Sequence, residues 1–159
     1  MTPQAWDPNG RFFIIKSYTE EDVHKAMKYK IWSSTEKGNN ILTKALASHP
    51  VYLLFSVNKS KKFCGVARMM SPARQVTCKN LWKQSGRWPG SIDIEWIFIK
   101  DVQNQAFVEM PNRLNEDKPA CQGRDCQEIC PIVANEMMNI FQSAQSHRNM
   151  MQQFPFFDQ

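Results

Sequence analysis

The run Val51-Tyr52-Leu53-Leu54-Phe55-Ser56-Val57 is apolar at almost every position. The polar turn Asn58-Lys59-Ser60-Lys61 follows it, and then a second apolar run, residues 62–69 (KFCGVARM). Short runs rich in Val, Phe and Tyr that flank a turn read as paired strands. The chain is therefore expected to build its core around a buried β-hairpin. Two more strands are expected on the same grounds. One covers residues 12–15 (FFII); the other covers 92–100 (IDIEWIFIK), whose alternation puts Ile92, Ile94, Trp96 and Phe98 on one face. A further strand is expected near 105–109.

Helices fill the remaining patterned segments. Thr19-Glu20-Glu21-Asp22 has the form of a capped start with acidic residues in the first turn, and that helix is expected to run to about Tyr29. A short helix from Asn40 to Ala47 is expected between the turn-like Lys37-Gly38-Asn39 and His49-Pro50. Pro131 suits a first helical position and opens a last helix over about 131–145. Its apolar stripe is Ile132, Val133, Met137, Ile140, Phe141 and Ala144. The fold class is α/β (α+β), a mostly antiparallel sheet packed against flanking helices. Pro3, Pro8 and Gly10 break residues 1–10, which read as an N-terminal tail. Residues 11–146 are the domain and 147–159 an aromatic C-terminal tail packing on or near it. Residues 71–91 form a long polar loop, the kind that is usually functional in a small domain.

Composition narrows the function. With 42% hydrophobic and 22% charged residues, the 159-residue chain is globular and single-domain in size. No apolar run reaches the roughly 20 residues of a membrane span, and residues 1–10 lack the apolar stretch of a secretory signal. The net charge of +5 permits a nucleic-acid partner. Five cysteines, an odd number, read as thiols in a reducing compartment. Cys121, Cys126 and Cys130 do not match the common zinc-ligand spacing; His147 could serve as a fourth ligand, but the cysteines read better as small buried hydrophobes. No phosphate-binding loop, dinucleotide fingerprint, serine-nucleophile elbow or H-E-x-x-H helix is present, and neither an enzyme nor a cofactor is expected.

The tryptophans carry more. There are five, and Trp32, Trp82 and Trp88 lie outside the strand patterns. Trp82 and Trp88 stand in the polar loop beside Lys83 and Arg87, where an aromatic is better explained as a ligand contact than as core. Trp96 shares a face with isoleucines and reads as core.

These segments resemble the YTH domain, a reader of N6-methyladenosine in RNA. The likeness runs through Lys16-Ser17-Tyr18, Glu21-Asp22-Val23-His24, Ile31-Trp32-Ser33-Ser34-Thr35-Glu36 and Gly38-Asn39. It continues through residues 50–58 (PVYLLFSVN), 63–69 (FCGVARM), 96–102 (WIFIKDV) and Arg124-Asp125-Cys126-Gln127-Glu128. It covers about residues 11–145 and is closest to the cytoplasmic branch of the family. The resemblance implies a curved, open-barrel-like sheet. It also implies a cage of Trp32, Trp82 and Trp88 around the methylated base. Tyr18 would offer its backbone N–H to the purine edge, Ser33 its main-chain carbonyl to the remaining N6–H, and Asp22 would approach N1. Lys16, Asn58, Arg124 and Asp125 would meet the RNA backbone, with an internal Arg124–Asp125 ion pair as the other reading of those two. The role given to Ser33 is independent of its side chain. The implied partner is single-stranded RNA carrying N6-methyladenosine. The domain is expected to be monomeric and cytoplasmic, with a nuclear role left open, and protein partners would be recruited by regions outside this chain. The residues alone leave three rivals: a methyl-lysine or methyl-ammonium reader, an RNA-processing hydrolase using Cys or His, and a plain protein-interaction domain.

Overall fold

Two apolar runs of opposite polarity around a turn must pair antiparallel, and a third apolar strand of the same direction can join them only through a crossover. The computed structural model, which describes residues 5–74 and 90–144, has this arrangement. Strand β1 (Arg11–Ser17) leads into helix α1 (Glu20–Tyr29), the short strand β2 (Ile31–Trp32) and helix α2 (Glu36–Leu46). Strands β3 (Val51–Val57) and β4 (Lys62–Met69) form the hairpin, and β5 (Ile92–Gln103) is the longest strand. Two-residue strands β6 (Pro111–Asn112), β7 (Lys118–Pro119) and β8 (Glu128–Ile129) precede helix α3 (Pro131–Ser143). The main sheet has the order β2-β5-β4-β3-β1-β8 and curls into a half-barrel. Among the described residues only β1 and β3 pair in parallel, from Arg11 opposite Val51 to Ser17 opposite Val57; the other pairings are antiparallel.

Every residue of β3 is buried, so the sheet carries apolar packing on both faces. On one face Phe13, Ile15, Leu53 and Phe55 meet Val23, Ala26 and Met27 of α1 and Leu42 and Ala45 of α2. On the other, Phe12, Ile14, Tyr52 and Leu54 meet Val133, Ala134, Met137, Met138 and Phe141 of α3.

Several expectations are corrected. Phe98 does not share a face with Ile92, Ile94 and Trp96. The β4–β5 register passes from Ala67 opposite Trp96 to Val66 opposite Phe98, so Ile97 is an inserted bulge residue and the alternation changes phase there. Phe98 then packs against Phe141 on the α3 side, while Trp96 stays with Phe55 and donates its indole N–H to the Ala26 carbonyl at 3.1 Å. Helix α2 starts at Glu36 rather than Asn40, because the Thr35 hydroxyl accepts the Gly38 N–H at 3.1 Å and caps it. The turn propensity of Gly38-Asn39 is overruled by packing: a Cβ on Gly38 would lie 2.8 Å from Cys126 Sγ. The strand expected near 105–109 is a 3-10 turn, Asn104–Phe107, whose Phe107 is fully buried. Ile132 is 69% exposed and leaves the stripe of α3, which Ala134 and Met138 fill instead.

The segment before β1 is held on the domain. Trp6 is only 4% exposed, and its indole N–H donates to Asn135 Oδ1 at 2.7 Å. The Asp7 N–H donates to the Tyr52 hydroxyl at 2.6 Å. The breakers Pro8 and Gly10 prevent regular structure there but not docking. Trp6→Ala should therefore destabilise the fold by about 3–5 kcal/mol, as for other buried aromatics, with a matching drop in the urea midpoint. A change below 1 kcal/mol, about the worth of one hydrogen bond, would mean the segment is not part of the core.

Candidate nucleic-acid interface

Because β1 and β3 run in parallel and in register, their C-terminal ends lie together. Lys16 stands opposite Ser56, and the Asn58 N–H donates to the Ser17 carbonyl at 2.8 Å. On the other side of β1 the Cys126 N–H donates to the Ile14 carbonyl at 2.7 Å, which draws Arg124 and Asp125 to the same end. The result is a groove of about 310 Å³ lined by Lys16, Tyr18, Asn58, Gly123, Arg124, Asp125 and Thr35. Five residues singled out from the sequence thus come together from three distant segments.

Its electrostatics are set by burial. The Lys16 ammonium is half-buried and donates to Ser56 Oγ at 3.3 Å; burial lowers its pKa, with the charge of Cys121 opposing. Arg124 is exposed and forms no ion pair among the described residues. Asp125 turns inward instead of pairing with it: its Oδ1 accepts the Lys16 backbone N–H at 2.9 Å. Burial pushes the Asp125 carboxyl above the usual carboxylate range, and the bond from Lys16 works against that shift. Its neighbour Cys126 is pushed up to about 12 by burial and then by Asp125, and lies 3.6 Å from Ser34 Oγ. Cys64 is likewise pushed up to about 12, chiefly by burial. Such thiols carry almost no thiolate at neutral pH, which makes them poor nucleophiles. Among the described residues no three His, Cys, Asp or Glu side chains are placed to hold a metal ion.

Trp32, Asp22 and Ser33 are buried and are not among the residues that line the groove. Trp32 is 4% exposed and packs edge-on to Phe55, with centroids 5.0 Å apart. Asp22 is 3% exposed in the first turn of α1, where its N–H donates to Thr19 Oγ1 at 3.1 Å. Ser33 is also 3% exposed, and here its side chain has a job: Oγ accepts the Gly90 N–H at 3.3 Å. Trp82 and Trp88 lie outside the described residues, but both stems of their segment are pinned beside Trp32. Trp32 pairs with Ile92, Arg74 and Ser91 form a two-bond bridge, and Arg74 also meets the Asp93 carboxylate. The Ala73 N–H donates to Thr43 Oγ1 at 3.0 Å.

Sequence reasoning missed Thr35 as a lining residue, and missed the Ser33 hydroxyl. Thr35 carried a signal in its capping position before Glu36; the Ser33–Gly90 contact joins residues 57 apart and carried none.

Comparison with known proteins matches residues 10–142 to the family model of the YT521-B-like (YTH) domain. The chain is 43% identical over 158 residues to the YTH domain-containing family protein 2 of Danio rerio, covering 96% of this chain and 26% of that protein. It spans about a quarter of the length of the curated relatives it matches. Among solved structures it is similar to the YTH domain of the Zygosaccharomyces rouxii MRB1 protein in complex with N6-methyladenosine RNA. The TM-score is 0.80 at 37% identity, covering 87% of this chain and 90% of that one. The Toxoplasma CPSF4 YTH domain in complex with a 7-mer m6A-modified RNA gives a TM-score of 0.83 at 25% identity, covering 90% and 97%.

Asp125 supplies a pH test. Its folded pKa lies above the ordinary 3.8, so the folded chain holds this proton more tightly than the unfolded one. That contribution favours the fold at low pH and is lost as pH rises through the window above 3.8. Asp125→Asn removes the titration while its amide oxygen can still accept the Lys16 N–H. The urea midpoint of the variant should gain on wild type as pH rises above 3.8; a gap that does not widen with pH would contradict the burial of this carboxyl.

Proposed function

The chain belongs to the YTH domain family, and from that premise we propose that it is a non-catalytic module recognising N6-methyladenosine in single-stranded RNA. The observation that carries this reading is the convergence of Lys16, Tyr18, Asn58 and Arg124 on one groove; Trp32 pairs with Ile92 at one stem of the Trp82–Trp88 segment. The relatives crystallised with N6-methyladenosine RNA support it. Cys64 and Cys126, both pushed up to about 12 chiefly by burial, are poor nucleophiles.

The physics of such a reader is simple. Trp32, Trp82 and Trp88 enclose the base, which must be unpaired so that both faces are free. Stacking contributes about 1–3 kcal/mol per base. The methyl adds roughly 0.8 kcal/mol for its apolar area, extended towards about 1–3 kcal/mol by a tight pocket. Methylated RNA is therefore preferred about 10–100-fold over plain adenosine. The Tyr18 N–H and the Ser33 carbonyl bond the purine edge; the Ser33 hydroxyl, through Gly90, holds one stem of the tryptophan segment. Lys16 and Arg124 meet phosphates and Asn58 meets the adjoining nucleotide. Asp125 shapes the groove by fixing the Lys16 backbone. Few phosphate contacts imply affinity near micromolar and a shallow salt dependence. The segment 79–90 contains no acidic residue, which disfavours a methyl-ammonium ligand. In its longer relatives' setting the module would serve the fate of methylated transcripts. Likeness to the cytoplasmic branch argues for a cytoplasmic location, with protein partners engaged by regions outside this chain.

A titration of wild type and Trp82→Ala with a short single-stranded RNA, with and without one central N6-methyladenosine, tests the reading. Wild type should favour the methylated strand about 10–100-fold and the variant should lose that preference; equal binding of both strands by wild type would reject it. Asp22→Asn should tighten binding to the methylated strand, because N1 of the base is an acceptor and a carboxylate has no donor to offer it. Weaker or unchanged affinity would remove Asp22 from the base edge.

A further inference from the structure

The β3–β4 turn holds two lysines in backbone conformations that suit glycine. Lys59 has φ 68° and Lys61 has φ 61°. The Ser60 N–H closes the turn onto the Val57 carbonyl at 3.0 Å, which puts Lys59 at the third turn position, where a positive φ favours Gly or Asn. The Lys61 carbonyl accepts the Asn104 N–H at 2.9 Å, so its conformation too is held in place. Side-chain-bearing residues adopt this region at an energetic cost that glycine avoids. Folding by itself would favour glycine at both positions.

Both lysines are exposed, and neither forms an ion pair among the described residues. The next residue behaves differently: Lys62 Nζ lies 3.0 Å from Asp101 Oδ2 and is neutralised. The two uncompensated charges directly follow Asn58, which lines the groove with Lys16 and Arg124. The Asp125 carboxylate in that groove is turned to the Lys16 backbone. The positive charge of the groove thus continues along the turn, where the Asp101 carboxylate is paired with Lys62.

We infer that Lys59 and Lys61 form a second contact strip for the sugar-phosphate backbone, carrying the RNA away from the base site past Asn58. The inference rests on the reader assignment and extends it from the base to the flanking nucleotides. The strip reads charge and not sequence, since lysine ammonium groups on an exposed turn meet phosphates as point charges.

The double variant Lys59→Gly, Lys61→Gly tests this without endangering the fold, because glycine is the residue the backbone prefers there. Its melting temperature should equal or exceed that of wild type. Affinity for a nine-nucleotide RNA with one central N6-methyladenosine should fall roughly three- to tenfold, and the slope of log affinity against log salt should flatten by about 1.4, for two phosphates lost. A methylated trinucleotide, too short to leave the base site, should bind wild type and variant alike. The methylated-to-plain ratio on the longer RNA should stay unchanged, and Lys59→Arg, Lys61→Arg should restore wild-type affinity. If wild type prefers methylated RNA but the glycine variant binds the longer strand equally well with the same salt slope, the strip is refuted while the reader assignment stands. If affinity for the trinucleotide falls as much as for the longer strand, the lysines act on the base site and the strip is likewise refuted. If wild type shows no methyl preference, the reader assignment fails, and the strip, which needs an anchored base, fails with it.

Discussion

The parallel pairing of β1 with β3 is the constraint on which the rest of the molecule depends. It sets seven residues of each strand in register, from Arg11 and Val51 to Ser17 and Val57, and buries all of β3. Parallel neighbours need a crossover, and this one carries α1, β2 and α2. The crossover delivers Trp32 and Ser33 to the edge of the sheet and Thr35 to the groove. The same register places the end of β1, with Lys16 and Tyr18, against the turn that starts at Asn58. A groove at the ends of two adjacent strands therefore follows from the pairing that forms the core.

A second set of constraints decides where the tryptophan segment begins and ends. The β4–β5 pair carries a bulge at Ile97, and close approach is built into it. A Cβ on Gly65 would lie 2.7 Å from the Phe98 carbonyl oxygen. The bulge lets one strand feed two cores, with Trp96 towards α1 and Phe98 towards α3. Further along, Ile92 and Asp93 pair with Trp32 and Ile31, and the Arg74–Ser91 bridge returns the chain to the same place. The Ser33 hydroxyl adds a bond to Gly90. Trp32, Ser33, Gly90, Ser91 and Ile92 are buried, where an unmade hydrogen bond is costly, so these bonds hold the stem at residues 90–92 firmly.

Where sequence reading and structure part, the cause is a long-range contact that outweighs a local preference. Gly38-Asn39 reads as a turn, yet Thr35 caps a helix through it and Cys126 fills the space a side chain would need. Pro8 and Gly10 read as a tail, yet Trp6 finds a pocket formed with Asn135 of α3, more than a hundred positions on. Ile132 fits an apolar stripe on paper but faces solvent, because the sheet meets the helix at Ala134 and Met138. The Arg124–Asp125 pair considered from the sequence gives way to an inward carboxylate, since β1 offers it a backbone N–H.

The sequence by itself determined the hairpin, the first helix with its cap, the mixed class with its mostly antiparallel sheet, and the family. All of these rest on local periodicity, local capping or contiguous strings of residues. It also supplied the candidate residues of the groove, because the types that stack on bases and meet phosphates are few. Only the tertiary structure decided that Lys16, Tyr18, Asn58 and Arg124 share one groove, that the Ser33 hydroxyl accepts the Gly90 N–H, and that Lys59 and Lys61 hold left-handed conformations in the turn after Asn58. Each of those depends on strand register and on contacts between residues far apart in the chain, and neither is encoded in any short window of sequence.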